Sequence, residues 1–361
     1  MWPYVLLIAC PIVLHHMTMK SFYGTTSDVF KKNSDKAMNL FWGSLAILLA
    51  FRHESVGIDL YNYHSTFNFI SRSDWDTALD RSPEMAYNAL NKVISLITRD
   101  FRWIIVVTAV LSVFFIARAF IKHSIDASLS IAVFIVMSNF VLLFSGLRQS
   151  IAISLGFLAF EFVRKKKPLP FLLVVSCAIL FHTSAFMLLF MYPLYYARIT
   201  KNSLIVVIPV MFLTFVFNEQ IFGALGSILS QFTQYDATIS STGAYSMLIL
   251  FVLFTIFAYL IPAESELDDD TIGLRNFLLL SVVLQMFAPL HTLAMRMNYY
   301  YIAFIPLLLP KIIEHRSKTW NQMAIIARYV MIVFFVSYFL ITASENNTLQ
   351  TYPYRFLWEA V

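Results

Sequence analysis

Charged residues are scarce in this sequence. Asp, Glu, Lys and Arg make up 13% of the 361 residues, whereas hydrophobic residues make up 59% and the mean hydropathy is +0.71. A soluble globular chain is about 25% charged and about 45–50% apolar, so the composition excludes that class. Runs of about 17–25 apolar residues can cross the ~30 Å hydrocarbon core of a bilayer, where only helices pair all backbone groups of such a run. The sequence therefore predicts an all-α polytopic membrane protein.

Cysteine is scarce as well. Cys10 and Cys177 both lie inside apolar runs, and we expect neither a disulfide nor a metal site from them. The first apolar run, from Trp2 to about Met19, has no basic residue before it and no small-residue cleavage site after it. We therefore expect a retained span and not a signal peptide. An acidic run at 264–270 carries no histidine and no regular ligand spacing, so we interpret it as a solvated loop.

Apolar segments recur along the whole chain and predict about 11–12 transmembrane helices. The pair at 168–182 and 184–197 is short for two full crossings, so a broken or re-entrant pair remains open there. The predicted spans are 2–19, 38–51, 101–121, 127–145, 147–163, 168–182, 184–197, 203–217, 245–262, 274–293, 298–313 and 323–342.

Lysines predict the orientation, because basic residues accumulate in short cytoplasmic loops. Placing the N-terminus outside leaves only Lys92 of the twelve lysines on the outer side, and the opposite orientation would reverse the rule. We therefore predict that both ends of the chain lie outside. The predicted outer stretches are then a large loop (52–100), a second loop (218–244) and a tail (343–361).

Arginines are distributed differently from lysines. The guanidinium group offers a planar fork of donors that suits phosphate, so arginines on the outer side predict an anion site there. Arg148 and Arg296 are both predicted beside outward-facing helix N-termini, where a cation is unfavourable unless an anion joins it. Interfacial anchoring accounts for Arg72, Arg99 and Arg102. The outer arginines are Arg52, Arg72, Arg81, Arg99, Arg102, Arg148, Arg296 and Arg355.

The large loop and a later histidine supply candidates for acid–base chemistry. Asp59 with Tyr61 and Tyr63 combines a carboxylate with aromatic faces, as carbohydrate sites do, although an interfacial aromatic belt fits equally well. Glu84 is explained by capping of a helix that begins near Ser82-Pro83. His182 ends an apolar run at membrane depth, which favours a functional role, with a hydrogen bond to a neighbouring helix as the alternative.

The predicted helix after Glu84 is amphipathic. Ala86, Leu90, Val93 and Ile97 recur on one face, as in helices that lie along a membrane surface. We therefore expect an interfacial helix in the outer loop.

These stretches make the sequence recognisable. In order and spacing over nearly the whole chain, it resembles the EpsG/Wzy-type bacterial polysaccharide polymerases, which make O-antigen and exopolysaccharide. Ile58 departs from the small hydroxyl residue that members often carry before the aspartate. The matching segments are Arg52 with 56–63, and then 83–90, 147–152, 164–167, 181–185, 296–301 and 352–356.

The resemblance implies a GT-C-like membrane glycosyltransferase. Such an enzyme joins repeat units carried on undecaprenyl diphosphate at the outer face of the bacterial inner membrane, with a lipid-linked donor and a lipid-linked acceptor as its partners. It needs cations for the leaving diphosphate and a general base for the acceptor hydroxyl. The residues that it assigns are Asp59, Glu84 and His182 as catalytic candidates, Arg148, Arg296, Arg52 and Arg355 for the diphosphate, and Tyr61, Tyr63 and Tyr299 for the glycan.

Three other functions remain open at this point. An O-antigen ligase would share the donor and the chemistry, a transporter or flippase of lipid-linked glycans would need no base, and a membrane-bound acyltransferase would place His and Asp elsewhere. We expect membrane lipids as surroundings, no nucleic acid partner, and no metal or other cofactor, because arginines can neutralise the leaving group. The sequence does not decide whether a chain-length regulator takes part.

Overall fold

The architecture is all-α in a computed structural model that describes residues 1–19, 27–228, 241–317, 321–345, 347 and 349–359. Within these residues, β-pairing is limited to one antiparallel bridge between Arg52 and Phe356. The predicted all-α class is confirmed. The chain divides into two compact units, one made of Met1–Phe186 with Arg328–Val361 and the other of Met187–Ala327.

The first unit is a row of helices with a folded loop inserted between two of them. In the row, α1 packs on α2, α2 on α6, α6 on α9, and α9 on α10. The last helix of the chain, α18 (Asn321–Glu345), belongs to this unit from Arg328 onward. The other helices are α1 (Trp2–Met19), α2 (Ser27–Ala50), α3 (Leu60–Arg72), α4 (Trp75–Leu79), α5 (Met85–Ile97), α6 (Arg102–His123), α7 (Ala127–Val136), α8 (Ser138–Ser145), α9 (Leu147–Arg164) and α10 (Pro168–Phe181).

The second unit is arranged around α15, which contacts helices α11 to α14, α16 and α17. The acidic run does not form a simple solvated loop. Asp268 accepts a hydrogen bond from the amide of Thr271 (2.8 Å) and caps α15, whose first turn contains Asp269 and Asp270. Carboxylates suit that position because a helix N-terminus is electropositive. The helices are α11 (Met191–Tyr196), α12 (Leu204–Val216), α13 (Asn218–Ile228), α14 (Ser241–Leu260), α15 (Asp269–Phe287), α16 (Thr292–Ile302) and α17 (Ile305–Ser317), with 3₁₀ helices Thr183–Phe190, which begins in the first unit, and Glu264–Glu266.

Several helices are suited to cross a membrane. In the described part of the chain, four are long and apolar enough, and six candidate spans result if each of two bent pairs counts as one. The protein is therefore a polytopic α-helical membrane protein. The single spans are Arg102–His123, Gly243–Leu260, Asp269–Phe287 and Gln322–Ala343, and the bent pairs are Ala127–Val136 with Ser138–Ser145 and Leu204–Val216 with Asn218–Ala224.

Two predicted spans are interrupted. The segment 127–145 bends by 65° between α7 and α8, because Met137 takes an extended backbone conformation (φ −76°, ψ 142°) that ends α7. The short pair at 168–197 is broken too, since a 3₁₀ helix separates α10 from α11. Of the second predicted outer loop, residues 229–240 lie outside the described residues.

A buried ion pair attaches α18 to α7. The guanidinium of Arg328 binds Asp126 through Nε and through Nη2, which lies 3.1 Å from Oδ1. Asp126 also caps α7 by accepting from the amide of Leu129 (3.2 Å). Nδ1 of His15 in α1 lies 2.7 Å from Oγ of Ser128 and 3.6 Å from the same carboxylate. Side chains from α1 and α18 thus meet the carboxylate that caps α7.

Candidate active site

The segment predicted as the large outer loop is folded. Between residues 60 and 97 it forms α3, α4 and α5, which lie on the starts of α6 and α9. A shared apolar core holds these elements together, and each fully buried Leu, Ile or Phe side chain stabilises such a core by about 1.5–3 kcal/mol. The loop is therefore a defined platform. The core consists of Leu60, Tyr63, Phe67, Tyr87, Ile94, Phe101, Ile104, Ile105 and Leu147.

Polar side chains of α5 donate hydrogen bonds to carbonyl groups at the C-terminal ends of α3 and α4. The side-chain Nδ2 of Asn88 donates to the carbonyl of Leu79 (3.0 Å). Lys92 donates to the carbonyls of Ser73 and Ile70 (3.4 Å), at the C-terminus of α3. A lysine is favourable there because the last carbonyls of a helix are electronegative. The single lysine predicted on the outer side thus has a structural explanation.

The predicted apolar face of α5 is packed into the protein only in part, since Leu90 contacts the apolar core described above. Val93 and Ile97 are exposed, Ile97 by 83%, and Ala86 and Leu90 are half-buried. An outward apolar face beside an inward polar one is the pattern of a helix in contact with lipid.

Glu84 does not cap α5 as the sequence had indicated. It is the residue before Met85, but its side chain makes no hydrogen bond to the helix amides. Instead, Oε2 accepts from Nη1 of Arg148 at 2.9 Å, and Oε1 lies 3.5 Å from Nδ1 of His182. Charged donors bind a carboxylate more strongly than neutral amides do, which explains why it leaves the helix end. Glu84, Arg148 and His182 form what we call the charge cluster.

Electrostatics keep Glu84 ionised. Burial raises the pKa of this carboxyl, but the hydrogen bond from His182 and the charge of Arg148 outweigh burial and lower the pKa to about 2. The side chain is 7% exposed. Glu84 is therefore an anion that binds its two partners, and it is a weak proton acceptor near neutral pH.

Arg148 is the second residue of α9, as the sequence predicted. Its guanidinium carbon lies 5.5 Å from the ring centroid of Tyr63 and 6.0 Å from that of Tyr87. Burial raises the pKa of both phenols, so they remain neutral beside the cation. Glu84 is the anion present at this helix N-terminus. Because a guanidinium has five N–H donors, these contacts leave donors for a further anion.

Asp59 lies at the start of α3 and is tied to the turn before Arg148. Oγ of Ser145 donates to Oδ2 of Asp59 at 2.8 Å, and the amide of Asp59 donates to Oγ of Ser145 at 3.3 Å. Two residues on, Tyr61 is 53% exposed, whereas Tyr63 faces Arg148. Positions two apart on a helix differ by about 200°, so the two tyrosines predicted as a pair point in different directions.

The C-terminal tail lies against the start of this loop. The amide of His53 donates to the carbonyl of Arg355 (2.9 Å), and the amide of Gly57 donates to the carbonyl of Gln350 (3.0 Å). Gly57 has φ +122°, and a Cβ there would lie 2.0 Å from the carbonyl oxygen of Phe144. Only glycine fits this close approach. The tail and Gly57 together fix the backbone that leads into Asp59.

The contacts of Arg52 lie inside the protein. Its side chain is buried, Nη1 donates to the carbonyl of Leu49 (2.8 Å) near the end of α2, and the guanidinium carbon lies 5.8 Å from the centroid of Phe144. The hydroxyl of Tyr354 from the tail donates to the carbonyl of Leu48 (2.8 Å). These contacts occupy only Nη1, and in the described part of the chain Nε and Nη2 are buried without a hydrogen-bond partner. The diphosphate role of Arg52 stays a prediction.

Arg296 and Tyr299 belong to the second unit. The helix there begins earlier than the sequence indicated, because His291 caps it by accepting from the amide of Leu293 (3.0 Å). Arg296 is therefore inside α16 (Thr292–Ile302) and not beside its N-terminus. The argument from the helix end is wrong for Arg296, and its predicted role in diphosphate binding stays a prediction, as does glycan binding by Tyr299.

The structure brings Asp59, Tyr63, Glu84, Arg148 and His182 to one part of the first unit. Sequence reasoning missed Ser145 and Tyr87, because a serine at a span end and a tyrosine in a loop helix carry no distinctive pattern. Within the described ranges, no group of three or more His, Cys, Asp or Glu side chains could hold a metal ion.

The fold and this site define a polytopic helical membrane protein in which an arginine and a histidine from other helix ends meet the carboxylates of a folded loop. The EpsG family model matches residues 37–356, and the chain belongs to the EpsG family. Membership indicates a polysaccharide polymerase-type role. Neither the curated proteins nor the solved structures contain a match.

Proposed function

We propose that this protein is a membrane glycosyltransferase that polymerises lipid-linked oligosaccharide repeat units. The donor is a growing glycan on undecaprenyl diphosphate, and the acceptor is the non-reducing end of an incoming unit. The reaction takes place at the outer face of the bacterial inner membrane, on a GT-C-like scaffold of 11–12 spans with both ends outside. The observation that carries the proposal is the charge cluster. In this cluster, Glu84 holds Arg148 of α9 beside two aromatic rings that belong to the folded loop.

The proposed reaction uses the cluster in two ways. An acceptor hydroxyl attacks the anomeric carbon of the donor, a proton leaves that hydroxyl, and the bond from the anomeric carbon to the diphosphate oxygen breaks. The diphosphate departs with the electron pair, and Arg148 stabilises the charge that develops on it, which is electrostatic catalysis by a preorganised cation. Glu84 holds Arg148 in place before substrate arrives, so the cation needs little reorganisation.

Complementation of a polymerase-null strain tests the proposal. The wild-type chain should restore a ladder of polysaccharide lengths. Arg148→Ala should reduce the ladder to single attached repeats, and Arg148→Lys should do nearly the same, because lysine keeps the charge but loses the fork. Arg102→Ala is the matched control, since Arg102 is exposed and binds Asp100 in its own loop. Arg296→Ala tests the second predicted cation in the same assay.

The outcome also separates the alternatives. A ligase defect would leave no attached repeat, and a transporter would restore export of repeats without lengthening them. A normal ladder from Arg148→Ala at normal expression would refute the proposed role of the cluster.

A further inference from the structure

We propose that Asp59 is the proton acceptor of the polymerisation step and that Ser145 is the residue that positions it. This inference rests on the proposed function, which leaves the base open among Asp59, Glu84 and His182. Three features of the site favour Asp59: the use of the other two groups, the accessibility of its carboxylate, and its attachment next to Arg148.

The first feature is that Glu84 has both carboxylate oxygens occupied. One binds Arg148 at 2.9 Å and the other faces Nδ1 of His182 at 3.5 Å. A base needs an oxygen within about 2.6–3.2 Å of the hydroxyl that it deprotonates. Glu84 could offer one only by releasing Arg148 or His182. It acts on the reaction through those two residues, so it is a positioning residue.

The second feature is the access of an acceptor hydroxyl to each candidate base. Both ring nitrogens of His182 are closed to solvent, so an acceptor hydroxyl cannot reach them in this arrangement. Asp59 is half-buried. Its Oδ2 accepts from Ser145, and within the described part of the chain Oδ1 has no hydrogen-bond partner. Asp59 therefore offers an oxygen that a sugar hydroxyl can approach.

The third feature is location. Ser145 is fully buried and is three residues before Arg148 in the sequence, across the turn from α8 to α9. By binding Ser145, Asp59 lies at the same turn that presents the cation. The amide of Tyr63 donates to the carbonyl of Asp59 (3.0 Å), and the Tyr63 ring faces Arg148. One turn of α3 thus connects the proton acceptor to the surroundings of the leaving group.

The acceptor O–H bond breaks and its proton goes to the carboxylate of Asp59. The acceptor oxygen forms the new bond to the anomeric carbon, and the bond from that carbon to the diphosphate breaks with its electron pair on the leaving group. The proton later passes to water, which restores Asp59.

Purified protein in proteoliposomes, supplied with lipid-linked repeat units, provides the test. Asp59→Asn should lower the turnover number by about 10²- to 10⁴-fold, because asparagine can still accept from Ser145 but cannot take the proton. Ser145→Ala should lower it less and leave the KM for the repeat units nearly unchanged, because the carboxylate is still present but is no longer held in place. Ser145→Thr keeps the hydroxyl that donates to Asp59 and should recover most of the turnover.

Ser150→Ala is the matched control, because Ser150 is buried near the same turn and donates to the carbonyl of Leu142 (3.3 Å) and not to Asp59. It should keep the wild-type turnover number.

The two proposals fail separately. If wild-type protein forms no polymer, the proposed function fails. If it forms polymer and Asp59→Asn turns over within threefold of wild type, or Ser145→Ala turns over as fast as wild type, the assignment of Asp59 and Ser145 is overturned while the polymerase function stands.

Discussion

The ion pair between Glu84 and Arg148 gives the most quantitative prediction. We consider three variants: Glu84→Gln, which keeps the side-chain volume, Arg148→Gln, which removes the guanidinium group, and the double variant. Removing one partner of a buried ion pair leaves an uncompensated charge and costs about 3–5 kcal/mol. Glu84 is 7% exposed, but the side chain of Arg148 is 25% exposed. Because solvent screens the arginine in part, the cost of Glu84→Gln should fall at the lower end of that range.

The pKa of Glu84 gives a second measure of the same interaction. A fall from the ordinary value of 4.5 to about 2 corresponds to roughly 3 kcal/mol in favour of the ionised, folded state. His182 lowers the pKa of Glu84 more than Arg148 does. We therefore expect a coupling energy between Glu84 and Arg148 alone of about 1–2 kcal/mol.

Equilibrium unfolding in mixed micelles measures the coupling through a double-mutant cycle. The matched control is the pair formed by Glu54 and His64 in the same loop, whose atoms are as close (2.8 Å) but whose side chains are 33% and 36% exposed. That pair should couple by less than about 1 kcal/mol. A coupling energy for Glu84 and Arg148 below about 0.5 kcal/mol, or no larger than that of the control, would refute the reasoning.

The titration of Glu84, the close approach at Gly57 and the ion pair of Arg328 each predict a measurable change. Glu84 stabilises the fold fully above pH 4.5 and loses this contribution as the pH falls through about 2, so wild type should lose roughly 3 kcal/mol across that window, whereas Glu84→Gln should not. Gly57→Ala should abolish the polysaccharide ladder at normal membrane insertion, because its Cβ would displace the backbone at Phe144; a normal ladder would contradict this. Arg328→Gln should destabilise the first unit by about 3 kcal/mol by leaving Asp126 buried and unpaired, measured by thermal unfolding in detergent, and an unchanged melting temperature would argue against it.

The sequence by itself determined the class of protein and indicated several of the residues that meet at the candidate site. Low charge and long apolar runs require membrane helices, because a bilayer leaves backbone groups no other partners. The sequence also singled out Arg148, since an arginine at a helix N-terminus is unfavourable without an anion. His182 was recognisable as a candidate from its position at the end of an apolar run, and Asp59 from the tyrosines that follow it. Glu84 became a candidate only through the family resemblance.

Only the tertiary structure showed which contacts these residues make. Capping explained Glu84 equally well in the sequence, because local pattern cannot show that Arg148, 64 positions later, offers it a stronger partner. The same limit applies to Arg296, whose helix begins at Thr292 because His291 caps it. Ser145 had no signal at all. Its effect on Asp59 depends on a contact across 86 residues, and such contacts arise from packing of the folded loop on α8 and α9, which no local periodicity encodes.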